Sequence, residues 1–117
     1  MCLAIDKAGR KRGKPHIAQQ DIKVYKLLNK GRISPQMRYQ WPAKLLVHAK
    51  LKVKKHFNVF EGLHAYVTLK AAKRNTRTIF VDKRFVHHAT IPRGALYYKG
   101  MNTDIVSTAM IVHGRVR

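Results

Sequence analysis

The stretch EGLHAYVTLKAAKRN, residues 61–75, contains the signals of a turn, a strand and a helix in direct succession. Glu61-Gly62 is typical of a turn, and residues 63–67 are predicted as a strand. Thr68 is a suitable N-cap, because its hydroxyl can accept a hydrogen bond from a backbone N–H of the first helical turn. The residues LKAAKRN that follow are mostly good helix formers. We therefore expect a short helix here, with Leu69 and Ala72 facing a neighbouring sheet.

Most of the remaining chain has the composition of strands separated by turns. Asn, Gly and Ser-Pro predict a turn in 29–35, Pro-Arg-Gly at 92–94 predicts a tight turn, and Asp82-Lys83 is a plausible hairpin connection. β-branched and aromatic residues predict strands in the ranges 21–28, 78–82, 84–91 and 104–117.

These elements predict an α+β fold, a small single domain with a mostly antiparallel sheet and one short basic helix. A chain of 117 residues has the length of one domain. The glycine-containing basic stretch KAGRKRGKP at 7–15 has no apolar periodicity, which indicates a loop or arm. We expect residues 1–20 to be a basic N-terminal arm or loop and residues 21–117 to be the domain.

A row of lysines occurs in KLKVKKHF, residues 50–57. In a strand, Lys50, Lys52 and Lys54 would project from one face, because side chains alternate across a strand. A helix over 43–55 is the alternative, since Ala, Lys and Leu favour helix. The alternation favours the strand.

The predicted helix carries a second group of cations. Its members stand at i, i+3, i+4 and i+7, a spacing that gathers side chains on one helix face. No acid is interleaved with them, so the stripe lacks the Glu-to-Lys pairs that stabilise exposed helices. These cations are Lys70, Lys73, Arg74 and Arg77.

The chain has 25 Lys and Arg against 5 Asp and Glu, a formal net charge of +20. Such charge favours a polyanionic partner, and nucleic acid or a ribonucleoprotein complex is the leading expectation. An acidic host protein is the alternative partner. The arm would add phosphate contacts to those of the two lysine-rich groups, through Arg10, Lys11, Arg12 and Lys14.

Aromatic residues beside cations are candidates for stacking on nucleobases. Tyr39 and Trp41 follow Arg38, and Tyr98 precedes Lys99. Most of the other rings are expected in the core, because aromatic side chains dominate core energetics.

The residues give no pattern typical of an enzyme or a metal site. Seven histidines and one cysteine show no zinc-ligand spacing, and no two carboxylates lie close in sequence. His87 and His88 would point to opposite sides of a strand. A small nuclease using His64 with Glu61, or the two adjacent histidines, remains the enzymatic alternative. We expect no catalytic residues, no metal and no cofactor.

The sequence shows no targeting signal, so we expect a cytoplasmic protein. A very short apolar start precedes the first charges, the reverse of a secretory signal, and no apolar run approaches the ~18 residues of a membrane span. A single cysteine, Cys2, fits a reducing compartment.

The chain contains, in this order, the segments DIKVYKLL, ISPQMRYQW, EGLHAYVTLKAAKR, IPRGALYYKG and DIVSTAMIV. With these segments it resembles a group of small, largely uncharacterised accessory proteins of bacteriophages and mobile elements. That resemblance implies a role in host takeover or anti-defence, directed at a nucleic-acid machine in the host cytoplasm. The segment GLHAY with its following helix is also similar to part of ADP-ribosyltransferase folds, which adds a transferase to the enzymatic alternatives.

Overall fold

The computed structural model describes residues 3–4, 16–32, 40–42, 44–54, 58–74, 76, 84–100 and 103–116, with only the backbone described at 3–4, 52–54 and 58–61. These ranges contain eleven strands and one helix. The strands are β1 (Leu3–Ala4), β2 (His16–Ile17), β3 (Ile22–Asn29), β4 (Leu46–His48), β5 (Lys52–Lys54), β6 (Asn58–Glu61), β7 (Leu63–Tyr66), β8 (Arg84–Ile91), β9 (Leu96–Lys99), β10 (Asp104–Ser107) and β11 (Ala109–Arg115), and the helix is α1 (Leu69–Arg74).

The strands form two antiparallel sheets. The larger has the order β2-β9-β10-β7-β3-β8-β11-β4, and the smaller has the order β1-β6-β5. The longest pairing joins β3 to β8, from Ile22 opposite Ile91 to Asn29 opposite Arg84. The expected fold of a mostly antiparallel sheet with one short helix is therefore confirmed for the described residues. His16 and Ile17 pair with β9, so the large sheet includes residues upstream of position 21.

The large sheet has two distinct faces, because side chains alternate along each strand. On the core face, Val24 and Leu28 are fully buried in a cluster that includes Ala65, Ile105 and Met110. The opposite face carries Tyr25, Leu27, His64, Tyr66 and Val106, and we call it the helix face because α1 packs on it. Directly opposed residues share a face, and the registers Tyr25 to Tyr66 and His64 to Val106 link these strands.

Helix α1 forms as its sequence predicts. The Thr68 hydroxyl accepts a hydrogen bond from Ala71 N at 3.2 Å, which caps the first turn. Leu69 and Ala72 pack with Leu27 of β3 and Val86 of β8. Burial of this small apolar side positions the basic side of the helix, since a six-residue helix has little stability of its own.

Two expectations for the strands need correction or refinement. The predicted terminal strand is two strands, β10 and β11, separated at Thr108. Thr108 leaves the ladder because its N–H donates to Leu96 O, and its hydroxyl and carbonyl accept from Leu96 N and Ala49 N at 3.0 and 2.8 Å. The described residues 44–54 contain β4 and β5 and no helix, and Lys50 lies two positions before β5. The predicted strand 78–82 and the Asp82-Lys83 connection lie outside the described residues.

The turns follow the sequence more closely. Gly94 has φ 88°, and Ala95 N donates to Pro92 O at 3.1 Å, which closes the predicted turn. After β3, Arg32 has φ 62°. Its guanidinium donates to four backbone carbonyls, those of Trp41, Pro42, Val112 and His113, at 2.9–3.0 Å. Arg32 thus fastens the segment around Trp41 to the last strand.

Candidate nucleic-acid interface

The cations of α1 form an exposed basic surface. Lys70, Lys73 and Arg74 are exposed, and with Leu69 they line a shallow open groove. The six residues of the helix include no acid. The structure therefore brings together three of the four predicted members of this stripe, whereas Arg77 lies outside the described residues.

The segment that begins the lysine row lies on the same side of the large sheet as α1. Leu51 packs against Tyr98 and Val106, and Val106 is directly opposite His64 on the helix face. A Cβ at Gly62 would lie 2.7 Å from Leu51 Cδ2, so the glycine permits this close approach. Leu51 therefore lies on the helix face, and the Lys50 that precedes it is exposed.

The other predicted phosphate contacts are less completely described. Lys52 and Lys54 lie in β5, and their side chains are outside the described part. The arm cations Arg10, Lys11, Arg12 and Lys14 are outside it altogether. Two acids with described side chains have partners of their own, since Asp21 accepts from Arg93 N at 2.9 Å and Asp104 faces His64.

Two of the three predicted stacking residues are core residues. Trp41 is 3% exposed and Tyr98 is 4% exposed, so a nucleobase does not reach either ring. Trp41 packs in the core cluster, and Tyr98 is covered by Leu51 and Val106. The stacking role expected of them is therefore corrected, whereas Tyr39 lies outside the described residues.

Rings that the sequence did not single out are present on the helix face. The Tyr25 and His88 ring centroids lie 6.0 Å apart, and Lys23 Nζ lies 6.0 Å from the Tyr25 centroid. His88 is half-buried whereas its neighbour His87 is only 4% exposed, which confirms that the adjacent histidines point to opposite sides. Strand alternation within DIKVYKLL was the signal that could have placed Tyr25 on an outer face.

The helix face also contains a histidine–carboxylate pair. His64 Nε2 lies 3.5 Å from Asp104 Oδ2, and the His64 ring meets Tyr66 edge-on at 5.0 Å. The two side chains keep 17% and 19% of their surfaces exposed. Burial lowers the pKa of His64, partly opposed by Asp104, so the imidazole is neutral at pH 7. Burial raises the pKa of Tyr66, and the Asp104 charge adds to this.

Asp104 is thus a carboxylate beside His64 that the sequence analysis did not name. The side chain of Glu61 lies outside the described part. Asp104 is 40 positions from His64, and the β7–β10 pairing brings the two strands together. Sequence spacing alone gave no signal of this pair.

A lysine is buried on the core face below this pair. Lys26 is 6% exposed, its Nζ donates to His64 O, and it lies 5.1 Å from the Trp41 ring centroid. Burial lowers the pKa of Lys26 from 10.5 to about 8. Its contacts with a carbonyl oxygen and a ring face offset part, but not all, of the free-energy cost of removing the charge from water.

The chain matches no family model, no curated protein and no solved structure. The resemblance to bacteriophage accessory proteins stays a prediction. Within the described ranges, no three His, Cys, Asp or Glu side chains are grouped as metal ligands would be. No helix in that part of the chain is long and apolar enough to cross a membrane.

Proposed function

We propose that this protein binds nucleic acid or a nucleoprotein complex through the basic surface centred on α1. The observation that carries this proposal is the set of three exposed cations on α1, on the same sheet face as Leu51 and with no acid in the helix. A surface of one sign attracts a polyanion and releases its counterions on binding. In the cell, this activity would serve a phage-type accessory role in host takeover or anti-defence.

The charge balance supports a phosphate backbone as the bound group. Lys70, Lys73 and Arg74 would supply phosphate contacts that are independent of sequence, and Lys50 would extend them. Lys52 and Lys54, Arg77 and the arm cations belong to the same proposal. An acidic host protein is the competing partner, because the same charges would attract it.

Binding to generic oligonucleotides at a series of salt concentrations tests this function. We expect log Kd to rise linearly with log salt concentration, with a slope that corresponds to several phosphate contacts. Fluorescence anisotropy with labelled RNA, single-stranded DNA and duplex DNA gives that slope. Absence of salt-dependent binding to all three would contradict the proposal, and co-purification with an acidic protein after nuclease treatment would favour the competing partner.

The geometry of His64 and Asp104 favours RNA cleavage as a second candidate function. With its Nε2–H directed at Asp104, a neutral His64 would use Nδ1 to take the proton of a ribose 2′-OH, whose oxygen attacks phosphorus as the bond to the 5′ oxygen breaks. Water would protonate the leaving oxygen, and the imidazolium would return its proton to solvent. The product would be a 2′,3′-cyclic phosphate.

We expect His64→Ala to reduce the rate of RNA cleavage by about 100-fold or more, the usual contribution of a general base. The assay follows an end-labelled RNA and the DNA of the same sequence, which lacks the 2′-OH. His48→Ala is the matched control, because His48 is an exposed histidine on β4. Equal cleavage by wild type and His64→Ala, or none by wild type, would reject this candidate.

A further inference from the structure

Three adjacent strands of the large sheet contain no acidic residue. They are β3, β8 and β11, with the sequences IKVYKLLN, RFVHHATI and AMIVHGR. Helix α1, which contacts both β3 and β8, also lacks acids. The helix face of these strands is thus continuous with the basic surface of α1 and carries no carboxylate of its own.

Ring side chains occupy this face where α1 does not cover it. Tyr25 of β3 and His88 of β8 are directly opposed, with ring centroids 6.0 Å apart and planes at 48°. His113 of β11 lies on the same face, because its Nε2 is 3.0 Å from the Thr90 hydroxyl and Thr90 alternates with His88. All three rings are half-buried, which holds them in place and leaves part of each exposed.

A cation accompanies the rings. Lys23 is exposed, precedes Tyr25 by two positions on the same face, and its Nζ lies 6.0 Å from the Tyr25 centroid. On the other side of Tyr25 along β3, Leu27 packs with Ala72 of α1, and the Tyr25 ring packs against this same cluster. Tyr25 therefore lies between Lys23 and the helix that carries Lys70, Lys73 and Arg74.

We propose that Tyr25 and His88 form a stacking platform for the bases of a single-stranded nucleic acid. This inference rests on the proposed function and specifies its ligand. Bases stack on aromatic rings without regard to sequence, whereas in a duplex their faces are covered by neighbouring bases. The cations on either side of the platform would hold the phosphates of the same strand. Tyr25 and His88 thus take the role that the buried Trp41 and Tyr98 cannot fill.

The test compares single-stranded and duplex oligonucleotides of one sequence, each as RNA and as DNA, by fluorescence anisotropy at fixed salt. We expect single strands to bind about tenfold or more tightly than duplexes. Tyr25→Leu should weaken single-strand binding by about tenfold, the usual contribution of one stacked base. His88→Ala should weaken it less, and neither variant should change the salt slope.

Tyr97→Leu is the matched control. Tyr97 is also a half-buried tyrosine beside a histidine, with its ring 5.4 Å from that of His16, but it lies near the β2 edge of the sheet. We expect this variant to bind single strands as the wild type does. A larger loss with Tyr97→Leu than with Tyr25→Leu would overturn the assignment.

Photocrosslinking of the wild-type protein to a 5-iodouracil oligonucleotide gives a result that does not depend on variant folding. We expect the crosslink on the peptide that contains Tyr25 or His88, and a crosslink confined to other peptides would overturn the inference. If single strands and duplexes bind equally and with a steep salt slope, the stacking platform fails while the basic surface stands. If no nucleic acid binds, both fail together.

Discussion

Arg32→Ala is expected to destabilise the fold by about 3 kcal/mol or more, because it leaves four carbonyls without their shared charged donor. Two of those carbonyls, Val112 and His113, are 80 and 81 positions away in the chain. Loss of Arg32 therefore removes the side-chain hydrogen bonds that join the Trp41 segment to β11. Arg32→Lys should be nearly as damaging, since an ammonium cannot place donors on four acceptors as the planar guanidinium does.

Urea unfolding measures the free energy of unfolding. The fluorescence emission of Trp41, the one tryptophan in the chain, shows whether its indole becomes exposed to water. We expect a red shift in native Arg32→Ala, because the indole is 3% exposed in the intact fold. Arg93→Ala is the control, as Arg93 is an exposed arginine in another turn. Wild-type stability and emission in Arg32→Ala would show that the four hydrogen bonds contribute little.

Lys26→Met is expected to stabilise the protein near pH 7. The buried ammonium has a pKa lowered to about 8 from 10.5, so the unfolded chain holds its proton more tightly than the folded chain. This pKa difference limits the gain in stability from Lys26→Met to about 3 kcal/mol, since one pKa unit is about 1.4 kcal/mol. Loss of the contacts with His64 O and the Trp41 ring reduces the net gain.

The same shift predicts a pH dependence. The pKa of Lys26 is lower in the folded than in the unfolded chain. The free-energy cost of burying its charge is therefore complete below about pH 8 and disappears as pH rises towards 10.5. The stability difference between Lys26→Met and wild type should therefore shrink between pH 8 and 10.5. Lys23→Met, at an exposed position of the same strand, should show no such trend. A Lys26→Met protein less stable than wild type at every pH would mean that the ammonium's contacts outweigh its burial.

Local sequence signals predicted the elements that depend on local interactions. Thr68 caps α1, and Leu69 and Ala72 pack on the sheet, as their spacing indicates. Strands β3 and β8 also correspond closely to the predicted ranges 21–28 and 84–91. These features depend on propensity and alternation within a few residues, which a single sequence contains.

Features that depend on distant pairing were not predictable in the same way. The strand order, the Arg32 hydrogen bonds and the His64–Asp104 pair each join parts of the chain that are far apart. Trp41 and Tyr98 stand beside cations in the sequence, yet their rings are buried, because the burial of an aromatic depends on what covers its face. The sequence predicted one strand where the structure has β10 and β11. The break at Thr108 depends on its hydrogen bonds with Leu96 and Ala49, which belong to other segments.

The proposed function rests on one claim, that the cations of α1 contact phosphates. The most direct test is the salt dependence of single-strand binding by the triple variant Lys70→Gln, Lys73→Gln, Arg74→Gln. Its control removes the same charge from exposed sites on other parts of the sheet, as Lys44→Gln, Arg93→Gln, Lys99→Gln. If the claim is right, the α1 variant loses about two units of the slope of log Kd against log salt concentration and the control keeps most of it. Equal slopes for the two variants would contradict the claim.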